Sequence, residues 1–146
     1  MLLIMGGLVG CAASTPTSDS LATATLATCQ PSPIQTSPTG FSEVQGTMSS
    51  EGEMWALLFF GKARANEEVK IVWRITSTGQ FAAQARHDDG TVISPSWGPE
   101  AHGDSNWDRP GLEWGTGFNF PHAGCWTLTG ALGTTSGEIG LEVLPP

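Results

Sequence analysis

The residue types that could bind a ligand are concentrated in segment 96–116, a predicted long loop that combines aromatic and charged side chains. Its tryptophans and the charged residues near them are Trp97, Trp107, Trp114, Asp104, Asp108, Arg109 and Glu113. Indole rings stack on apolar ligand faces, and charged groups hydrogen-bond to hydroxyls. We therefore take Trp97, Trp107, Asp108, Arg109, Glu113 and Trp114 as a candidate ligand surface. The alternative is that the tryptophans fold back to cap one end of the domain, with Arg109 paired to a neighbouring acid.

Residues 104–108 also resemble the opening of a calcium-binding loop. Oxygen-bearing side chains stand at alternate positions, Asp104, Asn106 and Asp108. Such a loop needs a glycine next and a closing carboxylate later. Here the glycine comes late, at Gly111, and Gly115 occupies the closing position. We therefore expect a turn held by short polar side chains rather than a calcium site.

Catalysis is less well supported by the sequence. There is no Gly-x-Ser-x-Gly motif to present a nucleophilic serine. Acids that are close in sequence, such as Asp88 with Asp89, are more typical of solvated turns than of a glycosidase pair. A small hydrolase built around His102, Asp104 and Asp108 is the weakest alternative. We predict no enzyme, no catalytic residue and no cofactor.

Metal binding is also not expected from the sequence. His87, His102 and His122 could meet at an ion, but they fall in separate predicted loops and are interpreted as solvated turn residues. The cysteines show no Cys-x-x-Cys or Cys-x-x-His spacing suited to tetrahedral zinc.

The N-terminal residues have the composition of an export signal. Residues 1–9 read MLLIMGGLV, which is apolar but too short to span a bilayer, since a span needs about 20 residues. The run ends in Leu8-Val9-Gly10-Cys11, which resembles the bacterial lipoprotein signal, although no basic residue precedes it. The resemblance implies cleavage after residue 10, lipidation of Cys11 and attachment to the cell envelope. The alternative is that Cys11 is an ordinary residue in an apolar N-terminal stretch.

Lipidation of Cys11 would leave two of the three cysteines, Cys29 and Cys125. They could form a disulfide that ties the end of the linker to a core strand. In the competing interpretation, Cys125 is a buried free thiol and Cys29 is unpaired.

The chain divides by composition into three parts. Residues 1–10 are the predicted signal peptide, and residues 11–40 are the lipidated cysteine with a linker rich in Ser, Thr and Pro. This linker lacks the large apolar residues needed to offset the entropy of ordering, so we expect it to be disordered. Residues 41–146 hold all the aromatic residues and are long enough for one core.

Charge excludes one class of partner. The 146 residues include 14 acidic and 6 basic side chains, a formal charge of −8. Nucleic-acid affinity comes largely from clustered Lys and Arg, so we expect no nucleic-acid partner. The same charge disfavours a basic patch on anionic lipid, which leaves the lipid anchor as the predicted membrane contact.

The elements that must position these side chains are predicted to be strands. Residues 69–75 read VKIVWRI, with Val69, Ile71 and Trp73 on one face and Lys70 and Arg74 on the other. Further strands are predicted at 54–60, 81–86, 91–93, around 118–120, at 125–132 and at 139–144, with a turn at 134–137. Short strands between turn residues, without a long helical period, predict an all-β sandwich of about seven strands.

Two further resemblances concern residues 41–146. Residues 121–126, with Cys125 and Trp126, resemble the turn and penultimate strand of immunoglobulin-like domains, although the tyrosine corner is missing because the chain has no Tyr. Residues 106–118 together with 124–126 look like a motif of uncharacterised secreted bacterial proteins. We therefore expect an immunoglobulin-like β-sandwich that acts outside the cytoplasm as a non-catalytic binding or interaction module for a protein or glycan ligand. The alternative is a carbohydrate-binding module that uses the three loop tryptophans.

Overall fold

The computed structural model describes residues 29–103 and 105–146, and it folds into two β-sheets. The described part contains twelve strands: β1 (Gln35–Thr36), β2 (Ser42–Gln45), β3 (Thr47–Met48), β4 (Met54–Leu58), β5 (Ala63–Arg64), β6 (Glu68–Ile75), β7 (Phe81–His87), β8 (Val92–Ile93), β9 (Trp97–His102), β10 (Leu112–Asn119), β11 (Gly124–Leu132) and β12 (Thr135–Leu144). The predicted all-β sandwich is confirmed.

The strand number is higher than the predicted seven. β1, β3 and β5 have two residues each and leave little sequence pattern, whereas the two-residue β8 lies within the strand predicted at 91–93. β9 lies in a segment predicted to be a loop, because its sequence has no apolar alternation. The structure explains the missing pattern, since five of the six residues of β9 are exposed. The predicted turn at 134–137 joins the expected strands, but it is shorter and lies at 133–134. β11 and β12 pair as far as Leu132 with Thr135, so a tighter turn joins them.

The first sheet has the order β1-β2-β4-β6-β10-β9, and the second has the order β3-β12-β11-β7-β8. Neighbours are antiparallel except for β5, which pairs with β12 in parallel. The main core lies between the sheets and includes Trp73, Phe81, Phe118 and Trp126. The predicted alternation of β6 places Val69, Ile71 and Trp73 in this core.

The first sheet is also covered on its outer face. All five residues of β4 are buried, with Met54, Ala56 and Leu58 facing the main core. Trp55 and Leu57 instead form a second apolar cluster with Val72 and Trp107. We call residues 105–110 the cover segment, because they bring Trp107 onto this face. β4 is therefore a strand buried on both sides, which explains its continuous apolar sequence.

The folded part begins earlier than the predicted boundary at residue 41. β1 pairs with β2, and the backbone N–H of Ser32 donates to the carbonyl of Gly140 at 2.9 Å. A disulfide joins Cys29 to Cys125 of β11, with Cα atoms 5.3 Å apart. Residues 29–40 are thus fastened to both sheets, so this portion of the predicted linker is ordered by tertiary contacts.

The remaining predictions for the N-terminus, the signal peptide at 1–10 and the lipidated Cys11, lie outside the described residues. No helix in the described part of the chain is long and apolar enough to cross a membrane.

Candidate functional site

The cover segment is held to the first sheet by a buried ion pair. The guanidinium of Arg109 pairs with the carboxylate of Glu43 in β2, whose side chain is 0% exposed. The indole N–H of Trp107 donates to the same carboxylate at 2.7 Å. The Arg109 guanidinium also lies 3.8 Å from the ring centre of Trp55. One carboxylate therefore fixes two side chains of the cover segment.

These contacts shift the pKa of both members of the pair. Burial raises the pKa of the Glu43 carboxyl, but the hydrogen bonds from Arg109 and Trp107 and the charge of Arg109 lower it more. The pKa of Glu43 therefore lies below its ordinary value of 4.5. The hydrogen bond to Glu43 raises the pKa of Arg109, which stays charged.

A second ion pair fixes the start of the cover segment. Nε of Arg74 in β6 donates to Oε2 of Glu113 in β10 at 2.7 Å. Ser105 donates its hydroxyl to the same carboxylate oxygen at 2.6 Å, and Arg74 donates to that hydroxyl at 3.1 Å. Arg74 also donates to the carbonyl of Arg109. The hydroxyl of Ser105 is therefore committed to an ion-paired carboxylate, and this is not the arrangement of a serine nucleophile with its base.

A cleft of about 270 Å³ lies beside the cover segment on the outer face of the first sheet. We call it the outer-face cleft. Its aromatic lining residues are Phe41, Phe59 and Trp107, and its polar ones are Lys70, His102, Ser105, Asn106 and Glu113. The ammonium of Lys70 lies 4.8 Å from the ring centre of Phe59, which is 55% exposed. Lys70 has no acidic partner within ion-pair distance among the described residues.

The predicted ligand surface does not exist as one surface. Side chains alternate along β10, so Glu113 is on the outer face while Trp114 points to the main core and stacks on Phe81 at 4.7 Å. Trp107 is 2% exposed beneath the cover segment. The alternative, in which a tryptophan folds back and Arg109 pairs with an acid, describes Trp107 and Arg109 better.

The other predicted residues lie around this face. Trp97 rests on Gly117, where a Cβ atom would lie 1.9 Å from its indole nitrogen, and its N–H donates to Glu68 at 3.2 Å. Asp108 is exposed and does not line the cleft.

The structure also bears on the calcium-loop and hydrolase interpretations of residues 102–108. Asp104, which belongs to both the calcium-loop and the hydrolase interpretations, lies outside the described residues. His102 lines the cleft opposite Glu113 in the β9–β10 pairing. Glu113, the nearest candidate for a closing calcium ligand, is already paired with Arg74.

Sequence reasoning missed Glu43, Lys70 and Phe59 as members of this face. The alternation of β6 predicts that Lys70 and Arg74 lie on a polar face, and the structure shows that this face is partly covered. The available signal was Val72, an apolar residue between two cations on the same face. Glu43 gave no signal, because its partner Arg109 is 66 positions away.

A second polar cluster lies at one end of the second sheet. Nδ1 of His87 is 3.0 Å from Oδ1 of Asp89, and Nε2 of His122 is 3.3 Å from Oδ2 of the same carboxylate. The backbone N–H of Thr91 donates to Asp89 at 2.8 Å, and this bond is the main reason why the pKa of Asp89 lies well below its usual range. His102 lies elsewhere, at the outer-face cleft. The expectation of three separate, solvated histidines is therefore wrong for His87 and His122.

No family model, curated protein or solved structure shows a significant match to this chain.

Proposed function

We propose that the chain is a non-catalytic binding module, held at the cell envelope by a lipid on Cys11, whose ligand occupies the outer-face cleft. The observation that carries the proposal is the cleft itself, since it combines a concave shape with aromatic and hydrogen-bonding groups. Binding sites of small ligands are mostly apolar and have a few polar groups that fix orientation.

The lining of the cleft indicates the chemistry of the ligand. Phe59 offers an exposed ring, and the Lys70 ammonium beside it is a hydrogen-bond donor. Glu113 and Ser105 already bond to one another and to Arg74, so these contacts fix their positions in one wall of the cleft. A ligand with an apolar face and hydrogen-bond acceptors along one edge satisfies both Phe59 and Lys70.

The anchoring part of the proposal has separate support. The Leu8-Val9-Gly10-Cys11 motif resembles a lipoprotein signal. Disulfides persist in oxidising compartments outside the cytoplasm, and the Cys29–Cys125 bridge is consistent with such a location. The resemblance of residues 121–126 to immunoglobulin-like domains fits a display role, because such sandwiches carry ligands on their surfaces.

A carbohydrate ligand is the second candidate. Phe41 and Phe59 provide ring faces for the C–H groups of a sugar, and Asn106 provides an amide for its hydroxyls. This candidate rests on the phenylalanines of the cleft rather than on Trp97, Trp107 and Trp114.

A binding screen of the full chain tests the proposal. The screen uses a glycan array and a small-molecule library. Each hit is then titrated into the protein, and the changes in amide chemical shift locate its binding site. We expect F59A and K70A to weaken binding of a hit by about tenfold, the loss of one good contact. The matched controls V92A and R86A alter exposed residues of the second sheet and should bind normally. This cleft would be excluded if F59A and K70A bound the hit as tightly as the unmodified chain. It would also be excluded if the amide shift changes on binding were confined to the second sheet.

A further inference from the structure

The polar cluster at the end of the second sheet has the composition of a metal site. Its three residues are His87 at the end of β7, Asp89 in the following turn, and His122 before β11. One ligand atom from each lies within 4.8 Å of the others. Two imidazoles and a carboxylate form a common ligand set for zinc and related divalent ions.

The two distances that involve Asp89 are close to coordination geometry. In a tetrahedral zinc site the metal–ligand bonds are about 2.0–2.2 Å, which separates the ligand atoms by roughly 3.4 Å. Oδ1 of Asp89 lies 3.0 Å from Nδ1 of His87, Oδ2 lies 3.3 Å from Nε2 of His122, and the set as a whole spans no more than 4.8 Å. Small side-chain rotations would therefore bring three donors to one ion.

The cluster also leaves polar atoms unpaired. The Nε2 atoms of His87 and His122 are buried and have no hydrogen-bond partner among the described residues. A buried polar group without a partner costs free energy, on the order of 1–3 kcal/mol. For His122 the nearest acceptor is Asp89, but the two groups are not aligned as a hydrogen bond. A cation held by Asp89 would give Nε2 of His122 the partner that it lacks, whereas Nε2 of His87 lies against Gly124 on the other edge of its ring.

The surroundings hold both rings in place. The His87 ring packs against Trp126 at 4.9 Å, and Gly124 leaves room for it, since a Cβ there would lie 2.3 Å from Nε2. The carbonyl of His122 accepts from the indole N–H of Trp126 at 3.2 Å. The side of the cluster formed by Asp89 is open, because its side chain is 53% exposed.

The geometry points to a divalent transition-metal site at His87, Asp89 and His122, with zinc as its simplest occupant. The site holds three protein ligands and leaves further positions to solvent or to a ligand from outside. It is separate from the outer-face cleft and does not depend on the proposed function. The formal charge of −8 favours accumulation of cations around the chain.

Zinc titration of the full, chelator-treated chain tests the site, with ZnCl₂ as the probe and calorimetry as the readout. We expect one ion per chain with a dissociation constant below about 0.1 mM. H122A and D89N should weaken binding at least about tenfold, because each removes one of three ligands. Asn at position 89 keeps an oxygen for the Thr91 amide, so the turn is retained. The control H102A changes an exposed histidine at the other site and should bind zinc normally.

A second readout keeps the test decisive if a variant folds poorly. Zinc should shift the imidazole NMR signals of His87 and His122 in the unmodified chain and leave those of His102 unchanged. Three results would overturn the site: no saturable binding at millimolar zinc, unchanged affinity in folded H122A and D89N, or shifts confined to His102. In each of these cases the cluster is a histidine–carboxylate contact without a metal.

Discussion

Glu43 is the residue on which the outer face of the first sheet depends most. Its carboxylate is fully buried and receives hydrogen bonds from Arg109 and Trp107. Removing one partner of a buried ion pair is costly because the other charge remains. Arg109 is 23% exposed, so water compensates it in part.

We expect E43Q to lower the free energy of unfolding by about 3 kcal/mol, at the lower edge of the range for broken buried pairs. Urea unfolding measures this change. E142Q, which alters an exposed glutamate of β12, is the matched control and should change stability by less than about 0.5 kcal/mol. Equal stability of E43Q and the original chain would show that the Glu43–Arg109 pair does not hold the cover segment.

The same carboxylate gives a dependence on pH. The pKa of Glu43 is lower in the folded chain than its ordinary 4.5, so the ionised form stabilises the fold. This contribution is complete above the unfolded pKa and is lost as the pH falls through the folded pKa.

The stability difference between the original chain and E43Q should therefore be constant near neutral pH and shrink as the pH falls below about 4.5. Urea unfolding at a series of pH values measures it. Because Asp89 titrates in both proteins, its contribution cancels in the difference. A difference that grows on acidification would contradict the lowered pKa of Glu43.

At the scale of elements, the cover segment makes β4 a central strand with two buried faces. Trp107 makes the main apolar contact between the cover segment and the first sheet, where it packs with Trp55, Leu57 and Val72. W107A should cost about 3–5 kcal/mol, as expected for truncating a buried aromatic residue. Hydrogen exchange of the β4 amides should accelerate in this variant.

W97A provides the comparison for W107A. Trp97 lies on the edge strand β9 and is partly exposed, so its truncation should cost about 1 kcal/mol. If W97A were as damaging as W107A, the second cluster would not be the feature that anchors the cover segment.

The sequence predicts a strand wherever the pattern of apolar residues along the chain matches the faces that the strand buries. β6 shows clean alternation, and β4 shows a continuous apolar run. β9 could not be predicted in this way, because its backbone pairs with β10 while most of its side chains face solvent.

The candidate site was only partly predictable. Trp107, Arg109 and Glu113 were found by residue type, but the position of Glu43 depends on pairing between distant strands.

At the scale of the whole molecule, the disulfide closes a long stretch of chain. Cys29 and Cys125 are 96 positions apart, so the bridge restricts most of the unfolded domain. A closed loop of this length is expected to contribute about 4–5 kcal/mol. The double variant C29S/C125S should lose stability of this size in urea unfolding, with both sheets retained by circular dichroism. A stability unchanged by the double substitution would mean that the bridge does not constrain the chain.

We propose that a lipid on Cys11 holds the disulfide-closed domain at the cell envelope, where it binds its ligand. The most direct test is the intact mass of the mature protein, extracted with detergent from its native host and measured with and without reductant. The account predicts a chain that starts at Cys11, carries acyl groups, and gains two hydrogen atoms on reduction. An unmodified chain that retains Met1 would contradict the anchor, and an unchanged mass on reduction would contradict the disulfide.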